Sequence, residues 1–230
     1  MRVDRLLTNQ PQWNRRQALL LLAQGQVRIN GSVIRNAEAE ADQFAQVCVN
    51  HHIIQAGVAP QYWMLNKPAG VVSATRDPQH PTALALLPAE LQPQLHIAGR
   101  LDKASTGLLL LTNDGLWSRR ITEPALKKPK TYLVTLGNPI DPDTAARFAE
   151  GIHFEYENIT TSPAQLQQLS SHQARLTIFE GRYHQIKRMF GRFRNPVVAL
   201  HRETMGPIAL DPNLTCGQSR PLTAAEITAI

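Results

Sequence analysis

The acid most able to do chemistry in this chain is Asp102, in the stretch GRLDKASTGLLLLTNDG (Gly99–Gly115). It follows the strand-like LHIAG and precedes an unbroken run of leucines, which read as core. An acid at such a junction is either a turn residue or a working carboxylate, and composition alone favours the turn, because Asp is common there. Arg100, two residues earlier, is placed to pair with Asp102 or to hold a phosphate. A second stretch, EGRYHQIKRMFGRFRN (Glu180–Asn195), sets Arg182, Lys187, Arg188, Arg192 and Arg194 against Glu180 alone. Tyr183 and His184 lie among these cations and could stack on bases; the alternative is a solvated helix face. In KTYLVTL, Tyr132 alternates with Val134 and Leu136 and so shares their face, as a core residue or a site aromatic. In MLNKPAGVVSAT, Lys67 and Pro68 end a strand and Gly70 permits a tight turn, either a plain one or one beside a site.

Other chemistries lack their residues. There is no phosphate-binding GxxxxGK[ST] or GxGxxG loop, no HExxH and no GxSxG elbow. His51-His52 has no Cys or carboxylate at ligand spacing and reads as surface. Cys48 and Cys216 are too few and too distant for a zinc cluster and fit reduced thiols. No cofactor and no metal are therefore expected. Lys and Arg outnumber Asp and Glu by 24 to 18, giving a net charge of +6, a balance that suits a polyanionic partner such as nucleic acid. The opening MRVDRLL lacks a signal peptide's apolar core, and ALLLLA (Ala18–Ala23) is too short to span a membrane. A cytoplasmic protein with no membrane contact is expected.

The elements that must position these residues fall into two groups. From Met1 to about Ala56 the pattern reads helix, helix, hairpin. RVDRLLTN turns Val3, Leu6 and Leu7 inward; Asn14 caps RRQALLLLAQ, which Gly25 stops; Asn30-Gly31 joins two short strands. Six arginines, Arg2, Arg5, Arg15, Arg16, Arg28 and Arg35, face four acids there. Residues 57–61 read as a linker. From 62 to 230, YWMLN, LHIAG, GLLLLTN, TYLVTL, AQLQQL, ARLTIF and PVVALHRE read as strands, with helices at GLWSRRI, at DPDTAARFAEGI (Asp141 as cap, Pro142 in the first turn), at YHQIKRMFGRF, and at PLTAAEI with a Thr223–Glu226 capping box. The expected fold class is α+β with a mainly antiparallel sheet.

In order and spacing, LNKPAG, GRLDKASTGLLLLTNDG, KTYLVTL and GRYHQIKRMF resemble the RsuA-type pseudouridine synthases over nearly the whole chain. The first segment, with its RR…G.V.ING pattern, resembles their S4-like RNA-binding domain. The resemblance implies an S4-like α/β domain over 1–56, a linker over 57–61, and a catalytic domain over 62–230 with a central sheet of two abutting halves crossed by a cleft. It implies conversion of one uridine in 16S (small-subunit) rRNA, at uridine 516, by a monomer acting on the rRNA or on a small-subunit assembly intermediate without cofactor. By the same likeness Asp102 is the nucleophile, Tyr132 stacks on the target base and helps remove its C5 proton, Lys187 pairs with Asp102, Arg100 supports the displaced base, and Ile186 packs beneath Tyr132. Lys67, Thr106, Arg182, His184, Arg188, Arg2, Arg15 and Arg16 are expected at the RNA. The alternatives are a large-subunit (23S) rRNA enzyme, or a non-catalytic RNA-binding or ribosome-assembly protein on the same scaffold. A pure binder has no need of Asp102, Tyr132 and Lys187 together, and a metal-dependent nuclease needs clustered carboxylates, which Asp102 lacks.

Overall fold

The computed structural model describes all 230 residues, which form two compact units, Met1–Pro60 and Gln61–Ile230. No helix is long and apolar enough to cross a membrane.

The first unit comprises α1 (Val3–Thr8), α2 (Arg15–Ala23), β1 (Val27–Ile29), β2 (Ser32–Ile34), β3 (Val47–Val49) and β4 (His52–Gln55), its antiparallel sheet ordered β2-β1-β3-β4. Local chemistry sets each boundary. Asn14 and Gln17 form a reciprocal cap at the start of α2. Asn30 and Gly31, both at positive φ, make the two-residue turn of the β1–β2 hairpin. Val3, Leu6, Leu7, Ala18 and Leu22 pack on Val27, Val47 and Val49. The stretch expected to be a linker is partly tied to this unit. The Val58 amide donates to Gln43 O at 3.0 Å, and at Gly57 (φ +76°) a Cβ would fall 2.4 Å from Phe44 O.

The second unit runs β5 (Tyr62–Lys67), β6 (His96–Ala98), β7 (Thr106–Thr112), α3 (Gly115–Thr122), β8 (Lys130–Leu136), α4 (Thr144–Glu150), β9 (His153–Phe154), β10 (Ile159–Thr160), β11 (Gln165–Gln168), β12 (Gln173–Ile178), α5 (Gln185–Gly191), β13 (Val197–Met205), β14 (Ile208–Ala209), β15 (Ser219–Pro221) and α6 (Ala224–Thr228). Its main sheet follows the order β11-β12-β8-β13-β7-β5-β15, with β14 on β13 and β6 on β7. Every pair is antiparallel except β13–β7, so two antiparallel halves abut at one parallel seam. The α+β class and mainly antiparallel sheet therefore hold.

The leucine run follows the seam residues on β7 and pairs with β5 and, at Leu110 and Leu111, with β6. On β7, Leu109 and Leu111 join Val134, Leu136, Met189 and Phe190 on one face; Leu108 and Leu110 join Met64, Trp117 and Ile121 on the other. All four leucines are fully buried, and a strand covered on both faces reads as a continuous apolar run rather than an alternating one. One helix start differs from expectation. The Asp141 carboxylate accepts from the Asp143 amide at 2.8 Å and its carbonyl from the Thr144 amide at 3.0 Å. Those bonds close a turn ahead of the helix, so α4 begins at Thr144 rather than beside Asp141.

The far edge of the sheet is closed by charge. Arg220 on β15 donates to Asp211 at 2.7 Å and, through both terminal nitrogens, to Glu226 of α6 at 2.9 and 2.8 Å. The Arg220 guanidinium, helped by the Thr223 amide, holds the Glu226 carboxyl at about 2. Its folded pKa lies below the ordinary 4.5, so its contribution to stability is complete above 4.5 and is lost as pH falls toward 2. Melting temperature is expected to drop across that window, and Glu226→Gln to flatten the drop while lowering the plateau; an unchanged slope in thermal melts at stepped pH contradicts this.

Candidate active site

Asp102 lies in the loop between β6 and β7, immediately before the parallel seam. Nearly every carbonyl of that loop has a donor. Arg202, from β13, is only 1% exposed; its Nε donates to Leu108 O at 2.8 Å, Nη1 to Arg100 O at 3.2 Å and Nη2 to Gly99 O at 3.4 Å. Lys67, at the end of β5, is wholly buried; its amine donates to Ser105 O at 2.8 Å, to Lys103 O at 3.3 Å and to Pro68 O at 2.8 Å. The Ser73 hydroxyl donates to Leu101 O at 2.8 Å and accepts from the Leu101 amide at 3.0 Å. The Gly70 amide closes on Lys103 O at 2.8 Å, and the Ser105 amide on Asp102 O at 3.0 Å.

Two details of β7 and β13 allow this grip. At Gly107 (φ +98°) a Cβ would lie 2.4 Å from Arg202 O, so only glycine lets the strands close there. A bulge on β13 between Arg202 and Thr204 breaks the regular register beside the arginine. Burial pushes the Lys67 amine down to about 8, opposed by the negative charge of Asp102.

The carboxylate itself is held from the other side. Lys187 Nζ on α5 is 3.5 Å from Asp102 Oδ2, and His184 Nε2 is 3.3 Å from the same oxygen. His184 has a left-handed backbone (φ +48°), and its ring stacks on Tyr183 at 3.9 Å. A non-glycine residue there costs roughly 1–3 kcal/mol, which the surrounding packing must offset. Asp102, Lys187 and His184 line a cavity of about 90 Å³ together with Arg100, Arg182 and the rings and side chains of Tyr132 and Ile186. Tyr132, on β8 and only 7% exposed, also lines a second cavity bounded by Lys130, Glu180 and Arg202. A carboxylate beside a lysine and a histidine, a buried aromatic ring and a space between them suit nucleophilic attack on a base or on the sugar that carries it.

The structure thus brings Asp102, Tyr132, Lys187, Arg100, Arg182, His184 and Ile186 to one cavity. Other expected RNA contacts fall elsewhere. Lys67 cannot meet RNA, since it is buried and its donors are occupied by carbonyls. The Thr106 hydroxyl lies 2.9 Å from His201 Nδ1, inside the sheet seam. Arg188 lies over the Phe154 ring at 3.8 Å and pairs with Glu157; Arg192 pairs with Glu155 at 2.9 Å. Arg2 pairs with Asp4 and Glu38, whereas Arg15 and Arg16 are exposed. The residue missed from sequence is Arg202. Its only local sign is a charge inside the apolar-rich strand pattern PVVALHRE, which reads equally well as an outward-facing residue.

Residues 61–191, more than half of the chain, match the family model described as RNA pseudouridylate synthase. Over 230 residues the chain is 52% identical to the ribosomal small subunit pseudouridine synthase A of Pseudomonas aeruginosa, covering 100% of both. It is 44% identical to the protein of the same name from Escherichia coli strain K12, again over 100% of both. A solved crystal structure of a pseudouridylate synthase matches with a TM-score of 0.73 at 41% identity, covering 100% of this chain and 99% of that one.

Arg202→Met keeps the apolar stem but leaves the Leu108, Arg100 and Gly99 carbonyls without their donor. Unpaired buried acceptors cost about 1–3 kcal/mol each, so a stability loss of about 3 kcal/mol is expected in urea titrations. Amide exchange at Ser105 and Gly70 should accelerate more than exchange in α6. A uniform change in exchange, or none, contradicts a local grip on the loop.

Proposed function

Since the chain belongs to the family of RNA pseudouridylate synthases, we propose that it isomerises one uridine of 16S rRNA, uridine 516, with Asp102 as the nucleophile. The enzyme class and an rRNA substrate of the small subunit follow from the full-length relatives. The nucleophile is supported by one observation above others. Asp102 is the acid of a cavity that also holds Lys187, His184 and the buried ring of Tyr132.

The reaction breaks the bond from uracil N1 to ribose C1′ and remakes it from C5. The C5 proton leaves and N1 gains one, so the product is an isomer and no oxidant, reductant or leaving group is required. A carboxylate can divide this into two easier steps by adding to C1′ as the N1 bond breaks, or by adding to C6 of the ring. In either route Asp102 attacks as the carboxylate, with Lys187 Nζ and His184 Nε2 at 3.5 and 3.3 Å from Oδ2. The target base must leave its stack to reach the cavity. Tyr132 then offers a stacking surface while the detached ring turns, and its phenol is the group proposed to assist loss of the C5 proton. Arg100, exposed at the rim, supports the RNA from which the base has turned out. The buried leucines of β7 and the loop grip keep Asp102 at fixed depth against the base.

The first unit is proposed to act as an S4-like RNA-binding domain. Its helix, helix, hairpin order and a cleft lined by Arg5, Trp13 and Arg15 support this reading. Such contacts grip phosphates and carry no sequence information directly.

The test is Asp102→Asn, which is nearly the same size and carries no charge. Wild type and variant are incubated with 16S rRNA and with small-subunit assembly intermediates, and pseudouridine is mapped by position. Product is expected with wild type only, at uridine 516, while the variant still binds the RNA. Equal product from both proteins removes Asp102 from the mechanism, and product at another uridine overturns the assigned position.

A further inference from the structure

Beside the Asp102 cavity, and sharing Arg100, Arg182 and His184 with it, lies a wider groove of about 340 Å³. It is also lined by Tyr183, Ser73 and the exposed Lys103. We propose that this groove binds the nucleotide adjoining the target uridine, its base stacked on Tyr183 and its phosphate met by Arg100 and Lys103. The inference rests on the reading of the chain as an rRNA pseudouridine synthase.

Tyr183 is 77% exposed. The Tyr183 ring is nonetheless ordered by its neighbour. It lies against the His184 imidazole with centroids 3.9 Å apart and planes 20° apart, and His184 is itself tied to Asp102 at 3.3 Å. One face of Tyr183 is covered and the rest stands in solvent, one ring away from the carboxylate. The left-handed backbone at His184 supports the same pairing at a conformational cost.

The charges agree. Arg175, Arg188, Arg192 and Arg220 are all neutralised by carboxylates. Arg100 and Lys103 pair with none; Lys103 Nζ has only His80 Nε2, at 3.3 Å. Asp102 is the one acid lining the groove, and it is already paired with His184 and Lys187. Connectivity completes the argument. A strand that puts one base into a cavity of about 90 Å³ must lay the next nucleotide along a surface that adjoins it, and the wider groove is such a surface, with two unpaired cations. Stacking on a tyrosine tolerates any base, so the groove holds the strand in register without reading its sequence.

The test pairs protein and RNA changes. Wild type, Tyr183→Ala and Tyr183→Phe are titrated against a 16S rRNA fragment containing the target uridine, intact or with an abasic residue on either side of it. Tyr183→Ala is expected to weaken binding of intact RNA by about tenfold, the scale of one base–aromatic stack, and Tyr183→Phe to restore it. With the abasic residue on the stacked side, wild type and Tyr183→Ala should bind within about twofold of each other, because the partner is already gone. An equal loss on intact and on both abasic RNAs overturns the proposal, as does no loss at all. If wild type forms no pseudouridine in 16S rRNA or in small-subunit assembly intermediates, the substrate reading fails, and the binding cycle still decides whether the groove takes a flanking base.

Discussion

The active loop depends on two buried cations that have carbonyls, not carboxylates, for partners. Lys67 and Arg202 reach the Asp102 loop from opposite halves of the sheet and bind its carbonyls on either side of the aspartate. Removing a cation from water costs several kcal/mol even after relaxation, and carbonyl dipoles repay only part of it. The depressed amine of Lys67 is the sign of that cost. The return is geometric. A loop held at Gly99, Arg100, Lys103 and Ser105 cannot move Asp102 without breaking bonds to buried charges.

That grip requires the parallel seam. Arg202 and Gly107 are register partners across β13 and β7, and the approach is so close that a side chain at Gly107 would strike the Arg202 backbone. The leucines that follow are buried on both faces, which makes β7 a rigid rod on which the loop ends. Thr106 and Gly107 therefore serve the junction of the two half-sheets, and the site sits where those halves meet.

The cations around Asp102 divide by depth. Lys67 and Arg202 are buried and hold backbone; Lys187 and His184 are partly exposed and hold the carboxylate; Arg100 and Lys103 are unpaired at the rim. Positive charge thus increases in availability from the core to the surface, the order in which an RNA strand would meet it. His184 belongs to two of these layers, since it touches Asp102 and carries the Tyr183 ring.

Much of the scaffold was legible because its signals are local. The Asn14 cap, the Asn30-Gly31 turn, the Thr223–Glu226 box and the strand runs act over a few residues, and the structure contains each of them. The start of α4 differs from expectation because Asp141 accepts the Asp143 and Thr144 amides and so closes a turn ahead of the helix instead of capping it. Asp102, Tyr132 and Lys187 could be singled out from motif order, since their spacing repeats the pattern of the family the chain resembles. What they touch could not. Whether a basic residue faces RNA, a glutamate or a buried carbonyl depends on partners tens to more than a hundred positions away in the chain. Arg188 and Arg192 went to Glu157 and Glu155, Lys67 to the Asp102 loop, and Arg202 across 94 residues to Leu108. The sequence by itself determined the motif order that carries the resemblance to the pseudouridine synthases, and so the family. Only the tertiary structure decided which cations lie beside the carboxylate, which hold the backbone and which stay unpaired at the surface, because charge is assigned by distance in space and sequence records only distance along the chain.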